Sequence, residues 1–368
     1  MRFWQIIVVV GLGVLYGLIA PGRLEYALGH ATLYVFLPPL LFEAAWNLNY
    51  RAAIRHWLPI AALAGPGVLL TAAIVAGALS IVRVPFGPAL LAGAILSATD
   101  PIAVVAVFRR LKVSQTLVTI VECESLFNDA VAVVLYRGAL VALAVGATSV
   151  GAIALVTFDT LAGAAGGVAL GIGLAFAVAR SLRGSRDVRI QIAATILCAY
   201  GAYFAADYLR LSGIFATIAC GIALRYFERA WITLSIAEDV NRFWDVGALV
   251  ANVLVFFMVG AALQIGRVAQ EPVFAVACIV AVAVARIVVA GFLLPGPYPR
   301  EWIDVVRVAG IRGSLSLALA LAIPSSVPYR EAIIDATFAV AIATLAAGSV
   351  TLVPAVQRAV RARRGPSS

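Results

Sequence analysis

The sequence predicts an all-α polytopic membrane protein of about twelve transmembrane helices. Three observations carry that reading. Of 368 residues, 63% are hydrophobic and only 12% charged, whereas a soluble domain averages about 45–50% apolar and about 25% charged residues. The apolar residues fall in runs near the length of about 20 residues that spans a bilayer as a helix. The basic residues, finally, gather in every second loop between those runs. A cytosolic enzyme, a disulfide-built secreted scaffold and a disordered chain are all excluded. A β-barrel would instead show short segments of alternating polarity.

The twelve segments are 4–20, 31–47, 57–82, 87–107, 116–146, 151–180, 189–207, 212–227, 243–265, 272–295, 303–323 and 331–354. The first follows Met1-Arg2 as a signal peptide would. No small-residue cleavage site follows it, and eleven further runs do, so it reads as a true first helix. The two longest, 116–146 and 151–180, can tilt or extend beyond the membrane. An even count places both termini on one side. Of the 27 Lys and Arg residues, nineteen lie in the terminal and loop set that includes Arg2, Arg109, Arg110, Lys112, Arg180, Arg183 and Arg358. Five lie in the opposite set, Arg23, Arg83, Arg210, Arg267 and Arg330. Positive charge marks the cytoplasmic side, so both termini are expected in the cytoplasm of a cell-membrane protein.

The net charge of +9 therefore belongs to membrane topology and implies no nucleic-acid partner. Residues 1–357 form the transmembrane domain, and 358–368 form a basic cytoplasmic tail expected to be disordered. The connector 228–242 is expected to carry a short surface helix. Cys123, Cys198, Cys220 and Cys278 lie inside apolar runs, and His30 and His56 lie in loops. Their spacing points to neither a disulfide nor a zinc site. Gly167 and Gly171 mark a close helix contact.

Ionisable groups inside a bilayer are expensive and mark function by default. Asp100 lies in mid-span within Ser97-Ala98-Thr99-Asp100-Pro101. Glu122, Glu124 and Asp129 lie within Glu122-Cys123-Glu124-Ser125-Leu126-Phe127-Asn128-Asp129. Glu43, Arg286 and Arg312 lie in other spans. Glu122, Ser125 and Asp129 share one helical face, while Glu124 and Asn128 share its neighbour. Such a stack either supplies oxygens to a cation or pairs with the buried arginines. Asn128 is either part of it or bonds a neighbouring backbone.

Pro101 removes a backbone donor and pushes Asp100 out of the helical region. Unwound backbone is predicted there, with carbonyls free for a cation and Asp100 able to cap the following half-helix. Gly310-Ile311-Arg312-Gly313-Ser314 predicts a second break. The two interrupted spans are seven apart, so they run in opposite directions. That is the mark of inverted repeats, here the first five spans against the last five.

At these residues the chain resembles a monovalent cation/proton antiporter of the NhaP-type sodium/proton exchanger group, over nearly its whole length. Glu124-Ser125-Leu126-Phe127-Asn128-Asp129-Ala130 resembles the family's Asn-Asp motif. Thr99-Asp100-Pro101 and Gly310-Ile311-Arg312-Gly313 resemble its two broken crossing helices. Leu37-Pro38-Pro39-Leu40-Leu41-Phe42-Glu43, and Phe243-Trp244-Asp245 with Asn252, Phe256 and Gly260, resemble two further segments. The resemblance implies an NhaA-like antiporter fold and a homodimer in the bilayer. It implies Na⁺ (or Li⁺) exchange for protons by alternating access, serving pH homeostasis, with no cofactor and no enzymatic activity. Asp129 becomes the residue that binds cation or proton. Ser125, the Thr99 carbonyl and Asp100 become its fellow Na⁺ ligands. Glu124 contributes through water or pairs with Arg286. Asn128 stands where electrogenic relatives have a second aspartate, which goes with electroneutral exchange. Two departures stand out. Cys123 replaces a residue that is often Gly, and the family commonly has thirteen spans, so either the start is truncated or the variant is shorter.

A desolvated carboxylate near neutral pH can be emptied of protons by a cation, and of the cation by protons. Arg286 either sets that tuning or serves as a structural partner of an acid. Arg312 is expected to compensate the C-terminal ends of the half-helices. K⁺/H⁺ exchange remains open, because the same oxygens suit both ions. A cation channel lacks its filter loop here. An intramembrane aspartyl protease would use Asp100 and Asp129 as a dyad, but Thr99, Ser125 and Asn128 look like ion ligands. A transport-inactive scaffold would not need them.

Overall fold

A computed structural model describes residues 3–19, 32–146, 150–183, 185, 187–231, 234–262, 272–294 and 298–364. The expectations for Arg2, Arg23, His30, Arg186 and Arg267 lie outside the described residues.

All twelve predicted segments coincide with helices. They are α1 (Phe3–Ile19), α2 (Leu37–Asn47), α3 (Tyr50–Arg55), α4 (Trp57–Ala64), α5 (Pro66–Ile81), α6 (Phe86–Ser97), α7 (Ile102–Leu111) and α8 (Gln115–Val145). There follow α9 (Val150–Ser181), α10 (Val188–Tyr208), α11 (Gly213–Trp231), α12 (Leu234–Ala262), α13 (Pro272–Leu293), α14 (Arg300–Val308), α15 (Ser314–Leu321) and α16 (Arg330–Arg364). A π-helical turn, Thr32–Phe36, leads into α2. Eight stretches of the described residues are long and apolar enough to cross a membrane by themselves. The pair α6–α7 counts as one of these eight, and the four remaining predicted spans are the shorter helices α1, α2 and α11 and the broken pair α14–α15.

Local chemistry sets many of the ends. Pro38 and Pro66 open α2 and α5, where a missing N–H costs nothing. The Asp187 side chain accepts from the Arg189 N–H at 2.8 Å and starts α10. Gly146, at φ +59°, ends α8 in the left-handed conformation that glycine adopts without a steric penalty.

Two expectations fail at helix ends. The connector 228–242 holds no separate surface helix among its described residues: α11 runs to Trp231 and α12 starts at Leu234. The two long helices simply continue beyond their apolar stretches. Nor does helix stop at residue 357, since α16 runs to Arg364. Arg358 and Arg361 follow the helix because Ala, Val, Gln and Arg all sustain it. At 1.5 Å per residue α16 spans about 52 Å, well beyond a hydrocarbon core of about 30 Å.

The chain divides into two compact units. The first comprises 1–30, 51–146 and 255–368, and the second comprises 31–50 and 147–254. Small residues set the close helix contacts in both. In the second unit a Cβ on Gly167 would lie 2.5 Å from the Ser212 carbonyl oxygen, and one on Gly171 would lie 2.1 Å from that of Ala216. The Gly-x-x-x-Gly pair thus seats α9 on α11. Around it the core holds Phe42, Trp46, Cys198, Cys220 and Trp244. Its indoles are satisfied. Trp46 Nε1 donates to Asn241 Oδ1 at 2.7 Å, and Trp244 Nε1 donates to Thr195 Oγ1 at 3.0 Å. All four cysteines are free and buried.

In the first unit α5 packs on α6 through Gly93, whose added Cβ would lie 2.4 Å from the Ala72 carbonyl oxygen. Helix α13 meets α5 where Val289 faces Gly67. Both broken pairs, α8, α13 and α16 belong to this unit, so one compact body carries the whole site.

Candidate ion-binding site

Helix α6 ends at Ser97, and Ala98 is extended at φ −62°, ψ +142°. Pro101 precedes α7, as its effect on Asp100 requires. On the other side, α14 ends at Val308 and α15 begins after Gly313, which is extended at φ −134°, ψ −150°. The two breaks cross. The Asp100 N–H donates to the Ile311 carbonyl at 2.8 Å, and the Ser316 hydroxyl donates to the Ala98 carbonyl at 3.3 Å.

Helix α8 passes beside the first break and brings its polar face to it. Ser125 Oγ donates to the Thr99 carbonyl at 2.7 Å. That hydroxyl hydrogen is then committed, so Thr99 Oγ1 is the donor in its 2.9 Å bond with Ser125 Oγ. Asn128 Nδ2 in turn donates to Thr99 Oγ1 at 3.2 Å and to the Ser97 carbonyl at 3.1 Å. The proton direction through Asn128, Thr99 and Ser125 is therefore fixed. The chain leaves oxygens over. Asn128 Oδ1, Asp129 Oδ1 and Asp100 Oδ2 are buried and have no hydrogen-bond partner. Buried acceptors without partners are rare, and a water or an ion is the ordinary explanation.

The charged groups divide by role. Asp100 Oδ1 accepts from the Ile102 N–H at 2.9 Å, capping α7 as expected. Its other oxygen points at Gly313, where an added Cβ would lie 2.0 Å away. One carboxylate thus stands at the N-termini of α7 and α15, where negative charge is favoured. Glu124 is engaged by an arginine. Arg286 holds it with both guanidinium arms, at 2.6 and 3.1 Å, and donates its Nε to the Val306 carbonyl at 2.8 Å. Of the two roles open to Arg286, structural pairing is the one its contacts display. Arg312 donates to the Gly310 carbonyl at 3.2 Å, close behind the end of α14.

Asp129 lies close enough to Asp100, Glu124 and Arg312 to interact electrostatically, and Arg312 likewise senses Arg286. With all five groups ionised, three carboxylates against two guanidiniums would leave one negative charge. In a low-dielectric interior that charge needs one compensating monovalent cation or one proton.

Thr99, Asp100, Glu124, Ser125, Asn128, Asp129, Arg286 and Arg312 therefore gather around the crossing, while Glu122, singled out with them, senses the charge of Arg109. Glu43 has a local partner. It accepts from Asn47 Nδ2 at 2.7 Å and belongs to the second unit, as does Asn252, whose amide donates to the Ala248 carbonyl at 2.8 Å. Sequence reasoning missed Ser316 and Thr344. Thr344 Oγ1 accepts from the Arg312 N–H at 3.1 Å. A hydroxyl two residues past the second break was a usable signal for Ser316. A lone threonine in the apolar run of α16 was none for Thr344.

Crossed, broken helices in a helical membrane body, with bare oxygens where they meet, are the build of a discontinuous-helix ion site. The chain belongs to the sodium/hydrogen exchanger family, whose transmembrane model matches residues 3–358. It is 34% identical over 333 residues to the low-affinity Na(+)/H(+) antiporter NhaS1 of Synechocystis sp., covering 86% of this chain and 62% of that protein. It is 32% identical to the Na(+)/H(+) antiporter ApNhaP of Aphanothece halophytica, covering 96% of this chain and 68% of the relative. The chain thus spans about two thirds of the length of these relatives. The solved structure of the sodium proton antiporter MjNhaP1 from Methanocaldococcus jannaschii shares the fold. Its TM-score is 0.80 at 20% identity, over 97% of this chain and 92% of that one.

Proposed function

We propose that the chain is a secondary antiporter exchanging Na⁺ (or Li⁺) for H⁺ by alternating access, electroneutrally, with Asp129 as the shared site. The single negative charge left among Asp100, Glu124, Asp129, Arg286 and Arg312 carries this reading. Asp129 Oδ1, Asn128 Oδ1 and Asp100 Oδ2 offer the hard oxygens a small monovalent cation prefers. Ser125 and the Thr99 carbonyl lie beside them, each with a lone pair to spare. Glu124 is held by Arg286 and takes no part in the exchange of ions. Asn128 has no titratable proton. One cation therefore replaces one proton, and charge balances on each exchange. The names of the curated relatives support Na⁺ as the cargo. The loop charges support a cell-membrane location with both termini in the cytoplasm, and family resemblance supports a homodimer.

The test uses everted vesicles from cells lacking their own antiporters. An acid-inside gradient is imposed, Na⁺, Li⁺ or K⁺ is added, and a pH dye follows the collapse. Wild type is expected to respond to Na⁺ and Li⁺, and Asp129→Ala to neither. A response to K⁺ alone would reassign the cargo. No response to any ion, in protein shown to be in the membrane, would remove the exchanger reading. Proton and cation compete for one site, so the KM for Na⁺ should fall as pH rises. The slope should approach about tenfold per pH unit while protons fill the site. A pH-independent KM would show that the two do not share it.

A further inference from the structure

Helix α8 carries a second buried polar group that the site does not use. Tyr136 lies seven residues after Asp129, and Glu122 lies seven before it, so the three share one face over four turns. The tyrosine is 5% exposed, and its hydroxyl is buried with no hydrogen-bond partner. Buried phenols nearly always find a partner. Around it on the helix, Ala132, Val133 and Ala139 are apolar and buried. The hydroxyl is thus an isolated polar atom about 10 Å beyond Asp129 along the helix axis. It lies on the way to the face opposite the C-terminal tail, because α16 starts at Arg330 and crosses to carry that tail away.

The charges near the phenol are those of Arg137 and Arg330. Arg330 donates its Nε to the Ile323 carbonyl, just beyond α15, at 2.8 Å and also pairs with Glu331. A neutral hydroxyl can hold a water that hydrates a passing ion without trapping it, which conduction through successive sites requires.

We propose that Tyr136 is a positioning residue on the outer leg of the ion route. Its hydroxyl holds a water between Asp129 and the face opposite the C-terminal tail, and that water completes the cation's hydration on that leg. The proposal rests on the exchange reading above and adds a sidedness to it.

The experiment uses purified protein in liposomes, with orientation read from protease access to a C-terminal tag. Na⁺ is supplied to either face of wild type and Tyr136→Phe. The KM for Na⁺ on the face opposite the tag should rise about fivefold, the worth of one typical hydrogen bond. The KM on the tag face and the maximal rate should stay within roughly twofold, unlike the general loss that misfolding produces. Equal shifts on both faces, or none on either, would overturn the proposal while leaving exchange intact. A wild type that moves no protons with Na⁺ would instead remove the exchanger reading. Radiolytic hydroxyl labelling of the wild type needs no variant. Tyr136 should be labelled despite its burial, because the water beside it generates the radical, and an unlabelled Tyr136 would overturn the proposal.

Discussion

The two breaks at the crossing are built from opposite materials. The first, between α6 and α7, is made by a proline and lined by groups that hydrogen-bond: the Ser97 carbonyl and the side chains of Thr99 and Asp100. The second, between α14 and α15, is made by Gly310 and Gly313 and carries an arginine. The first supplies the anion for both half-helix N-termini, and the second supplies the cation for a C-terminus. The difference shows a division of labour. The proline break presents ligands, and the glycine break is thin enough to let them approach. The two glycines differ in what they admit. An added Cβ at Gly310 would lie 2.6 Å from Arg286 Nε, whereas at Gly313 it would lie 2.0 Å from Asp100 Oδ2.

The largest expected effect comes from taking away the support of the glycine break. Arg286→Met removes the partner of Glu124 and the donor to the Val306 carbonyl. Breaking a buried pair from one side costs about 3–5 kcal/mol, because the other charge stays buried and unpaired. The purified variant should melt well below wild type in detergent. Adding Glu124→Gln should restore most of the loss. If the double variant is no more stable than the single one, the pair is not what holds α14 in place.

Next comes Gly313→Ala. The backbone at Gly313 is extended and open to any residue, so the cost is steric alone. Overpacking of this kind costs about 1–3 kcal/mol, and here the Asp100 carboxylate is the group that must yield. Exchange should be lost almost completely, with a moderate drop in melting temperature. Gly310→Ala should instead cost mainly stability, since its Cβ would press on Nε, Cδ and Cγ of an arginine that Glu124 and the Val306 carbonyl hold in place. If the two alanine variants behave alike, the distinction between the glycines fails.

These features were unequally legible in the sequence. The proline break could be read, because Pro101 acts on its own neighbours whatever surrounds it. The glycine break could be located, since two glycines flank an arginine in an apolar run. Its purpose could not, because Gly313 matters through Asp100, which lies over two hundred residues away. Glu124 and Asp129 lie on neighbouring faces of one helix, and the sequence leaves two roles open for Glu124, a water-mediated one and a pair with Arg286. Only the fold reveals that Arg286 takes Glu124. The same limit hid Thr344. It also hid the helical end of α16, where charge suggested a loose tail and helix propensity prevailed. Sequence thus yields what acts locally and leaves pairings across the unit to the structure.

The smallest effect tests whether the two breaks are fastened to each other beyond the backbone. Ser316, fully buried at the second break, donates to the Ala98 carbonyl at the first over 3.3 Å. Side-chain hydrogen bonds between membrane helices average about 0.6 kcal/mol, and 3.3 Å is long for a hydroxyl donor. Ser316→Ala should therefore barely change the melting temperature. The Asp100 N–H to Ile311 bond, at 2.8 Å, remains to hold the crossing. The Ala98 carbonyl, however, would be freed next to Thr99 and Ser125. It would add one uncommitted oxygen close to the bare ones, so the KM for Na⁺ should fall or stay level while stability holds. A rise in KM with unchanged stability would mean that the Ser316 hydroxyl helps to place the ligands, and that the glycine break contributes to the site more than the room it makes.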